Sequence, residues 1–279
     1  EAQNLQHLSY GTSNAKTCTL SFYVRCNVAG TYAVSIQKPD STDQMFGSTY
    51  TISSTQASNS TAAAGWQRVS ITIPANTAHG IADDNGIGFD IRWILFAGSN
   101  YTGTNNTSWV NTANGAYAYG HNTTMGTVDN STWEITGVQL ELGDNATPFE
   151  HRSFSDELTM CKRYYQEMFA NGGDVQATTV WFLGSTDFAM NIHLPQEMRA
   201  AYTATIVGTA INTSGGSYAT DKWGVYVNGN WRGCSSISVS AITPITLRLG
   251  GQVNNTVNGG DAGGLYNGTA CYIKLDAEL

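Results

Sequence analysis

The sequence predicts an all-β protein with an N-terminal jelly-roll β-sandwich, a short connecting α-helix and a C-terminal β-sandwich. Short runs of alternating apolar and polar residues recur through both halves of the chain, separated by Gly, Asn, Ser and Thr, as in strands joined by turns. A single apolar stripe with helical spacing follows a proline near the middle. The length of 279 residues favours two domains. We therefore assign residues 1–150 to the jelly roll, 151–173 to a connecting elbow and helix, and 174–279 to the C-terminal sandwich.

Four strands are predicted in the first half. Thr17–Arg25 alternates throughout, and a turn at Asn27–Gly30 would join it to Thr31–Gln37 as a hairpin. Trp66–Pro74 alternates in the same way, whereas Gly86–Phe96 ends in a continuous apolar run that is typical of a central strand. Strands at this spacing without intervening helices imply a β-sandwich, most simply a jelly roll.

Polar segments separate these strands. We interpret Ser53–Ala64 as a mobile loop, and Ser99–Ser131 as a long loop that carries function or packs against a partner. Asp83–Gly86 together with Asp90 offers oxygen ligands for a structural calcium ion, but it does not match an EF-hand loop. A turn into the next strand is the simpler interpretation, and we assign no metal site.

The stretch after Trp133 connects the two halves. Trp133–Gly143 is predicted to be the closing strand of a sheet, and its alternation changes phase at Gly137, as it would across a β-bulge. Pro148 lacks an amide hydrogen and so turns the chain.

A helix should follow this turn. Ser155 is its predicted N-cap, with Asp156 and Glu157 in the first turn. The glycine-containing segment Asn171–Gly173 should end it. The predicted apolar stripe consists of Leu158, Cys161, Tyr165 and Met168.

The junction also carries a family resemblance. The segments WEITGVQLELG and ATPFEHRSFSDELTMCKRYYQ resemble the junction of a family of bacteriophage virion proteins, mainly tail-fibre or other host-contacting appendage proteins. In that family a lectin-like jelly roll precedes a short helix and a variable C-terminal β domain. Leu20–Arg25, Gly30–Tyr32 and Gly65–Val69 are similar to carbohydrate-binding-module-like jelly rolls. The last third resembles the family more loosely, chiefly at residues 194–201 and 275–279.

The resemblance implies a location and partners. The protein would lie in an external appendage of the virion, attach to a host cell-surface glycan or outer-membrane component, and contact other virion proteins. It would form a homo-oligomer, a trimer, in which weak single sites act multivalently.

The second half repeats the strand pattern with different residues. A run from Asn254 to Gly268 is the predicted flexible loop at the domain tip. The predicted strands outside the hairpin described next are Val175–Leu183, Phe188–Leu194, Tyr202–Ile211, Ile245–Leu249 and Cys271–Leu275.

The strongest local signal is the Asn228-Gly229 pair between two β-prone runs, which indicates a type I′ hairpin. We expect the rings of Tyr226 and Trp231 to lie side by side on one face, next to a glycine pair that leaves this face uncrowded. Counting outward from the turn predicts the pairs Val227 with Asn230, Tyr226 with Trp231, and Gly224 with Gly233.

Two aromatic rings beside bare backbone suit the apolar face of a sugar ring, which makes this hairpin the candidate glycan-binding site. Polar neighbours in the hairpin would add hydrogen bonds. Packing within the domain or between subunits is the commoner role of such aromatic pairs, and it stays open as the alternative. The candidate residues are Tyr226, Asn228, Asn230, Trp231 and Arg232.

Composition argues against several other classes. Charged residues make up 12% of the chain and the net charge is −8, without a Lys/Arg cluster, so nucleic acid is not an expected partner. The sequence has no run of about eighteen apolar residues, so we expect no membrane insertion. Cys18 and Cys26 share one side of a predicted strand about 26 Å apart, too far for a disulfide. The five cysteines and five histidines lack zinc-type spacing, and we expect buried thiols, no metal and no cofactor.

Catalysis is not expected either. A glycosidase needs two carboxylates across one bond, but Asp83, Asp84 and Asp90 belong to a predicted turn, and Glu134 and Glu141 flank the junction strand. The usual catalytic motifs are missing from the sequence.

Three hypotheses therefore remain. The leading one is a phage tail fibre or receptor-binding appendage; the alternatives are a structural head fibre or decoration protein, and a glycan-degrading enzyme or its binding module. No signal peptide opens the chain, and the missing initiator Met suggests either a processed protein or a fragment of a longer one. We interpret the chain as a fragment, because Ala2–Leu8 resembles the middle of a strand.

Overall fold

The computed structural model describes residues 1–123, 125–170, 175–208, 222–268 and 271–278. It divides into two compact units, Glu1–His151 and Arg152–Leu279. Both units consist mainly of strands, which confirms the predicted all-β class with a short helix. None of the helices within the described ranges has the length and apolar composition needed to cross a bilayer.

The first unit is a sandwich of two antiparallel sheets around one apolar core. The sheet orders are β4-β1-β7 and β5-β2-β3-β6, and most successive strands cross from one sheet to the other, as in a jelly roll. Its strands are β1 (Cys18–Cys26), β2 (Gly30–Lys38), β3 (Gln44–Ile52), β4 (Gln67–Ile73), β5 (Asp90–Ile94), β6 (Val110–Asn111) and β7 (Trp133–Leu142). Its helical segments are α1 (Ser54–Ser58) and the 3₁₀ turns Ala2–Leu8, Ala63–Gly65, Ser99–Tyr101, Asn114–Ala116 and Met125–Thr127.

The hairpin predicted between β1 and β2 is wrong, because the two strands belong to different sheets. Both strands direct their alternating apolar residues into the shared core, so alternation alone does not reveal the sheet to which each belongs. Three residues link the end of β1 at Cys26 to the start of β2 at Gly30. Extended, they span about 10 Å, which is the usual distance between two packed sheets, so the link is long enough to cross from one sheet to the other. The predicted central strand is also wrong, since β5 is short and lies at a sheet edge.

Two segments expected to be loops are ordered differently. Part of Ser53–Ala64 forms α1, because Ser53 Oγ accepts from Gln56 N at 3.2 Å while Gln56 Oε1 accepts from Ser53 N at 2.9 Å, a capping box. The long polar segment packs against its own unit. Gly47 N donates to Asn106 O at 2.8 Å, and His121 Nδ1 accepts from Ala33 N at 3.4 Å.

The predicted bulge and elbow adjoin the first sheet. The register of β7 on β1 shifts between Ser21 and Tyr23, where Gly137 has a φ of +58°, so the predicted bulge is confirmed. The elbow after β7 folds back over the outer face of the sheet: Glu150 N donates to Gln139 Oε1 at 2.8 Å, and Thr147 N donates to Glu141 Oε2 at 3.1 Å.

The second unit contains a six-stranded closed barrel and a three-stranded sheet around one core. The unit expected to be a C-terminal β-sandwich thus includes a closed barrel. The barrel order is β10-β14-β13-β12-β15-β9 and the sheet order is β11-β16-β8. The elements are α2 (Phe154–Cys161), β8 (Tyr165–Met168), β9 (Val175–Phe182), β10 (Asp187–His193), β11 (Thr203–Val207), β12 (Gly224–Val227), β13 (Asn230–Thr243), β14 (Thr246–Val253), β15 (Ala262–Asn267) and β16 (Tyr272–Asp276).

The helix α2 is shorter than predicted. Its N-cap is Ser153, whose Oγ accepts from Asp156 N at 3.2 Å, rather than Ser155. Tyr165 and Met168 lie in β8 instead of the helix, because β8 pairs with β16. The predicted stop at Asn171–Gly173 lies outside the described residues, as does the end of the predicted strand Tyr202–Ile211.

Candidate functional site

The β12–β13 hairpin has the predicted register. Val227 lies opposite Asn230, Tyr226 opposite Trp231, and Gly224 opposite Gly233. Asn228 and Gly229 have φ values of +52° and +74°, as a type I′ turn requires. The turn chemistry therefore determined the pairing of this hairpin.

An aromatic cluster lies on the outer wall of the barrel. The rings of Tyr226 and Trp231 have centroids 5.1 Å apart and are tilted by 58°. Tyr226 is 41% exposed and Trp231 is 36% exposed. The rings lie side by side as predicted, but their tilt makes an uneven surface rather than a flat platform.

Tyr266 on β15 completes this cluster and was not predicted. Its ring centroid lies 4.6 Å from that of Trp231, at 69°. Tyr266 reaches the site because β15 pairs with β12 on the side away from β13. That pairing joins residues about forty positions apart and leaves no local signal in the sequence. We refer to Tyr226, Trp231 and Tyr266 as the aromatic cluster.

The prediction that the glycine pair leaves the face beside the two rings uncrowded is wrong. Gly224 and Gly233 form the predicted pair, but both are buried. Tyr266 lies opposite Gly224 on one side of β12, and its ring contacts Trp231 on the other side. The rings of Tyr266 and Trp231 therefore meet across β12 next to Gly224, so a third ring occupies the space that the sequence suggested for a ligand.

The polar candidates lie on the other face of the hairpin. Arg232 is opposite Val225 and Asn230 is opposite Val227, and these two valines are buried in the barrel core. Since successive residues of a strand point to opposite faces, Arg232 and Asn230 lie on the face opposite the aromatic cluster. The structure therefore separates the five candidates into an aromatic pair and a polar group.

The polar group adjoins a small pocket at the end of the barrel. Its volume is about 140 Å³, and Asn228 and Arg232 line it together with residues 256–258. Arg232 Nε is buried, and within the described ranges it has no hydrogen-bond partner. Asn228 Nδ2 donates to Asp261 Oδ2 at 2.6 Å, which ties the hairpin turn to the loop before β15. The segment predicted to be one flexible run, Asn254–Gly268, thus contains a short loop and strand β15.

Four of the carboxylates considered for metal binding or catalysis, Asp84, Asp90, Glu134 and Glu141, have structural contacts. Asp84 Oδ1 accepts from Gly86 N at 2.8 Å, as in the predicted turn. Asp90 pairs with Arg92, and Glu134 with Arg25. In the part of the chain that the structure describes, no three His, Cys, Asp or Glu side chains form a group suited to a metal ion.

Glu141 lies at the elbow, where neighbouring side chains donate hydrogen bonds to its carboxylate. Hydrogen bonds from the hydroxyl of Thr147 and from Gln139 lower the pKa of Glu141 from its ordinary value, because they stabilise the charged form. Glu141 is partly exposed to solvent, and its contacts with Thr147 hold the elbow.

Comparison with known proteins adds no relative. No protein-family model matches the chain, and it matches neither a curated protein nor a solved structure.

Proposed function

We propose that the protein is a virion component of a bacteriophage, a tail fibre or other receptor-binding appendage, and that its barrel attaches to glycans on the host surface. One observation carries the binding part of this proposal: the aromatic cluster leaves the rings of Tyr226 and Trp231 exposed on the barrel wall. The virion setting rests on the resemblance of the junction segment. Binding without catalysis is part of the proposal.

Exposed aromatic rings suit a sugar ligand for a physical reason. The C–H-rich face of a sugar ring is apolar, and it can lie against an aromatic face while the hydroxyl groups remain hydrated. Clustered exposed aromatics are unfavourable in water unless a ligand or partner covers them. Trp231 is held by ring contacts with both tyrosines, so it can receive a ligand with little loss of side-chain entropy.

Weak sites are sufficient in this setting. A homotrimer would present three copies of the cluster, and linked copies bind a repeating surface polymer with much higher avidity than one copy does. The chain's low charge, with 12% charged residues, favours contacts based on stacking and neutral hydrogen bonds.

The test is binding of the full chain to an array of bacterial surface polysaccharides. Trp231→Ala should weaken binding about fivefold or more, because a stacking contact contributes on the order of 1 kcal/mol, whereas Trp231→Phe should retain most of it. Tyr165→Ala is the matched control, since Tyr165 is also 36% exposed but lies on β8. Unchanged binding by folded Trp231→Ala, or no binding by the wild-type chain, would refute the proposal.

A structural role in the virion has one supporting observation of its own. Phe154 on α2 is 82% exposed, and Leu158 and Met160 on the same helix are also exposed. Such residues suit contact with another virion protein. If the protein has a purely structural role, it should bind purified virus particles that lack it and should bind no host glycan. The array described above tests the second expectation.

A further inference from the structure

A second surface of the barrel forms a polar trough across β10, β14 and β13. The three strands are in register, so their outward residues form rows. We name this surface the trough. Its rows are Asp187–Gln252–Ser236, Ala189–Gly250–Ser238 and Asn191–Arg248–Ser240.

The middle row forms the floor of the trough because its side chains are short. Gly250 has no side chain, and Ala189 and Ser238 flank it on the neighbouring strands. A Cβ atom at Gly250 would have ordinary contacts, the nearest at 3.4 Å from Phe188 O, so the backbone does not require glycine there. The open volume above this floor is about 420 Å³, within the range of about 300–1,000 Å³ that small-ligand sites occupy.

The two outer rows are rich in hydrogen-bonding groups. Gln252 Nε2 donates to Asp187 Oδ1 at 2.8 Å, which orients both side chains along one wall. Ser236 and Ser240 expose hydroxyl groups along β13. Such donors and acceptors, spaced by the strand and sheet repeats, match a polyhydroxylated ligand better than an apolar one.

Charge is distributed unevenly along the trough. Arg248 is exposed in one outer row, and its guanidinium has no hydrogen-bond or ion-pair partner among the described residues. Asp187 lies in the opposite outer row, two rows away along the strands. An anionic group would therefore bind at the Arg248 end, where a guanidinium can donate two hydrogen bonds to a carboxylate or phosphate, and it would be repelled from the Asp187 end.

We propose that the trough is a second glycan subsite, which takes a sugar residue bearing a carboxylate or phosphate placed against Arg248. This deepens the proposed function and rests on it. The subsite shares β13 with the aromatic cluster: Trp231 and Ser236 are five residues apart, or about 16 Å along an extended strand. An oligosaccharide rather than a single sugar would be needed to contact both.

The experiment uses titration calorimetry of the full chain with two matched probe pairs. The first pair is tetragalacturonate and its methyl ester; the second is a singly phosphorylated maltotetraose and maltotetraose itself. In each pair only the first probe carries an anionic group, and the two pairs distinguish carboxylate from phosphate as the source of charge. The wild-type chain should bind one charged probe at least fivefold more tightly than its neutral partner, and added salt should reduce this difference.

Variants then locate the site. Arg248→Gln should remove the preference for the charged probe, and its affinity for the neutral probe should stay within twofold of that of the wild type. Gly250→Leu should weaken both probes at least fivefold, because its side chain fills the floor; Ser238→Leu serves the same purpose if Gly250→Leu does not fold. Lys274→Gln, a cation outside the barrel on β16, is the matched control and should change nothing.

The outcomes separate this subsite from the proposed function. If Trp231→Ala weakens glycan binding while folded Gly250→Leu and Arg248→Gln bind as the wild type does, the subsite is wrong and the proposed function stands. If neither charged probe is preferred over its neutral partner, the subsite is also wrong. If Trp231→Ala has no effect on array binding, the proposed function fails first.

Discussion

Lys38 is a cation without exposed surface, and it holds a loop of the first unit through backbone carbonyls. Its Nζ donates to Asp40 O, to Thr42 O at 3.2 Å and to Gly80 O at 3.1 Å. Lys38→Met would keep the aliphatic packing and leave these carbonyls without their donor. We expect a loss of about 1–3 kcal/mol in the free energy of unfolding, measured by urea denaturation.

Lys16→Met is the control for this substitution, because Lys16 is exposed at the edge of the same unit. It should change the free energy of unfolding by less than about 0.5 kcal/mol. Equal effects of the two substitutions would contradict a structural role for the Lys38 contacts.

His121 should make the first unit sensitive to acid. It is buried, its Nδ1 accepts from Ala33 N, and burial lowers the pKa of its side chain from the ordinary value near 6.5. Below about pH 6.5 the unfolded chain takes up a proton that the folded chain resists, so the unfolded state binds more protons and stability falls as pH falls. The expected slope is at most about 1.4 kcal/mol per pH unit, and His121→Gln should remove it in urea titrations between pH 7 and 5.

The exposed His193 gives the matched control, since His193→Gln should leave the pH dependence of the first unit as it is in the wild type. A wild-type slope that survives in His121→Gln would assign the acid sensitivity to other groups.

Single residues in the candidate site could be predicted where the chemistry is local. Asn228-Gly229 determined the register of the hairpin, and that prediction was confirmed. The same register places Arg232 opposite Val225, so its separation from the aromatic pair could have been predicted from alternation. Tyr266 could not, because its position depends on a pairing between distant strands.

At the scale of elements, the bulge in β7 shows how one glycine sets a strand's geometry. Gly137 has a φ of +58°, and a Cβ there would lie 3.0 Å from Tyr23 Cδ2. Gly137→Ala should therefore lower the free energy of unfolding by about 1–2 kcal/mol, measured as a shift of the urea midpoint. Gly137→Asn should lower the free energy of unfolding by less, as far as the loss comes from backbone conformation, because asparagine adopts the left-handed region more readily than alanine.

Gly98→Ala is the control for the bulge, because no atom lies within 4 Å of the added Cβ and its φ is not in the left-handed region. A loss at Gly98 equal to that at Gly137 would show that the effect is a general one of replacing glycine.

Strand alternation predicted elements better than it predicted their partners. The strand β1 and the bulged β7 were expected from alternation and are present. Alternation shows which face is buried, but it does not distinguish two strands in one sheet from two strands in facing sheets, and the β1–β2 hairpin failed for that reason. The spacing of Tyr165 and Met168 fits a helical stripe, yet pairing with β16 decides their conformation.

For the whole molecule, closure of the barrel is the feature that the sequence does not reveal. The strands of an open sandwich and of a small closed barrel alternate in the same way, because each has one face on the core. The barrel closes because β9 pairs with β10 on one side and with β15 on the other. The strands β9 and β15 lie about eighty residues apart in the chain, so no local pattern in the sequence indicates their pairing. It matters for function because the aromatic cluster and the trough both lie on this barrel.

The two units should unfold separately, because each has its own apolar core. Leu20 is fully buried in the first core and Leu249 in the second. Calorimetry of the full chain should show two transitions. Leu20→Ala should shift one transition to lower temperature and Leu249→Ala the other. Each substitution should reduce the free energy of unfolding of its own unit by about 2–5 kcal/mol. Fragments 1–151 and 152–279 provide the control. The first should melt near the transition that Leu20→Ala shifts in the full chain, and the second near the transition that Leu249→Ala shifts. If both substitutions shift one shared transition, the units stabilise each other and the chain folds as one cooperative body.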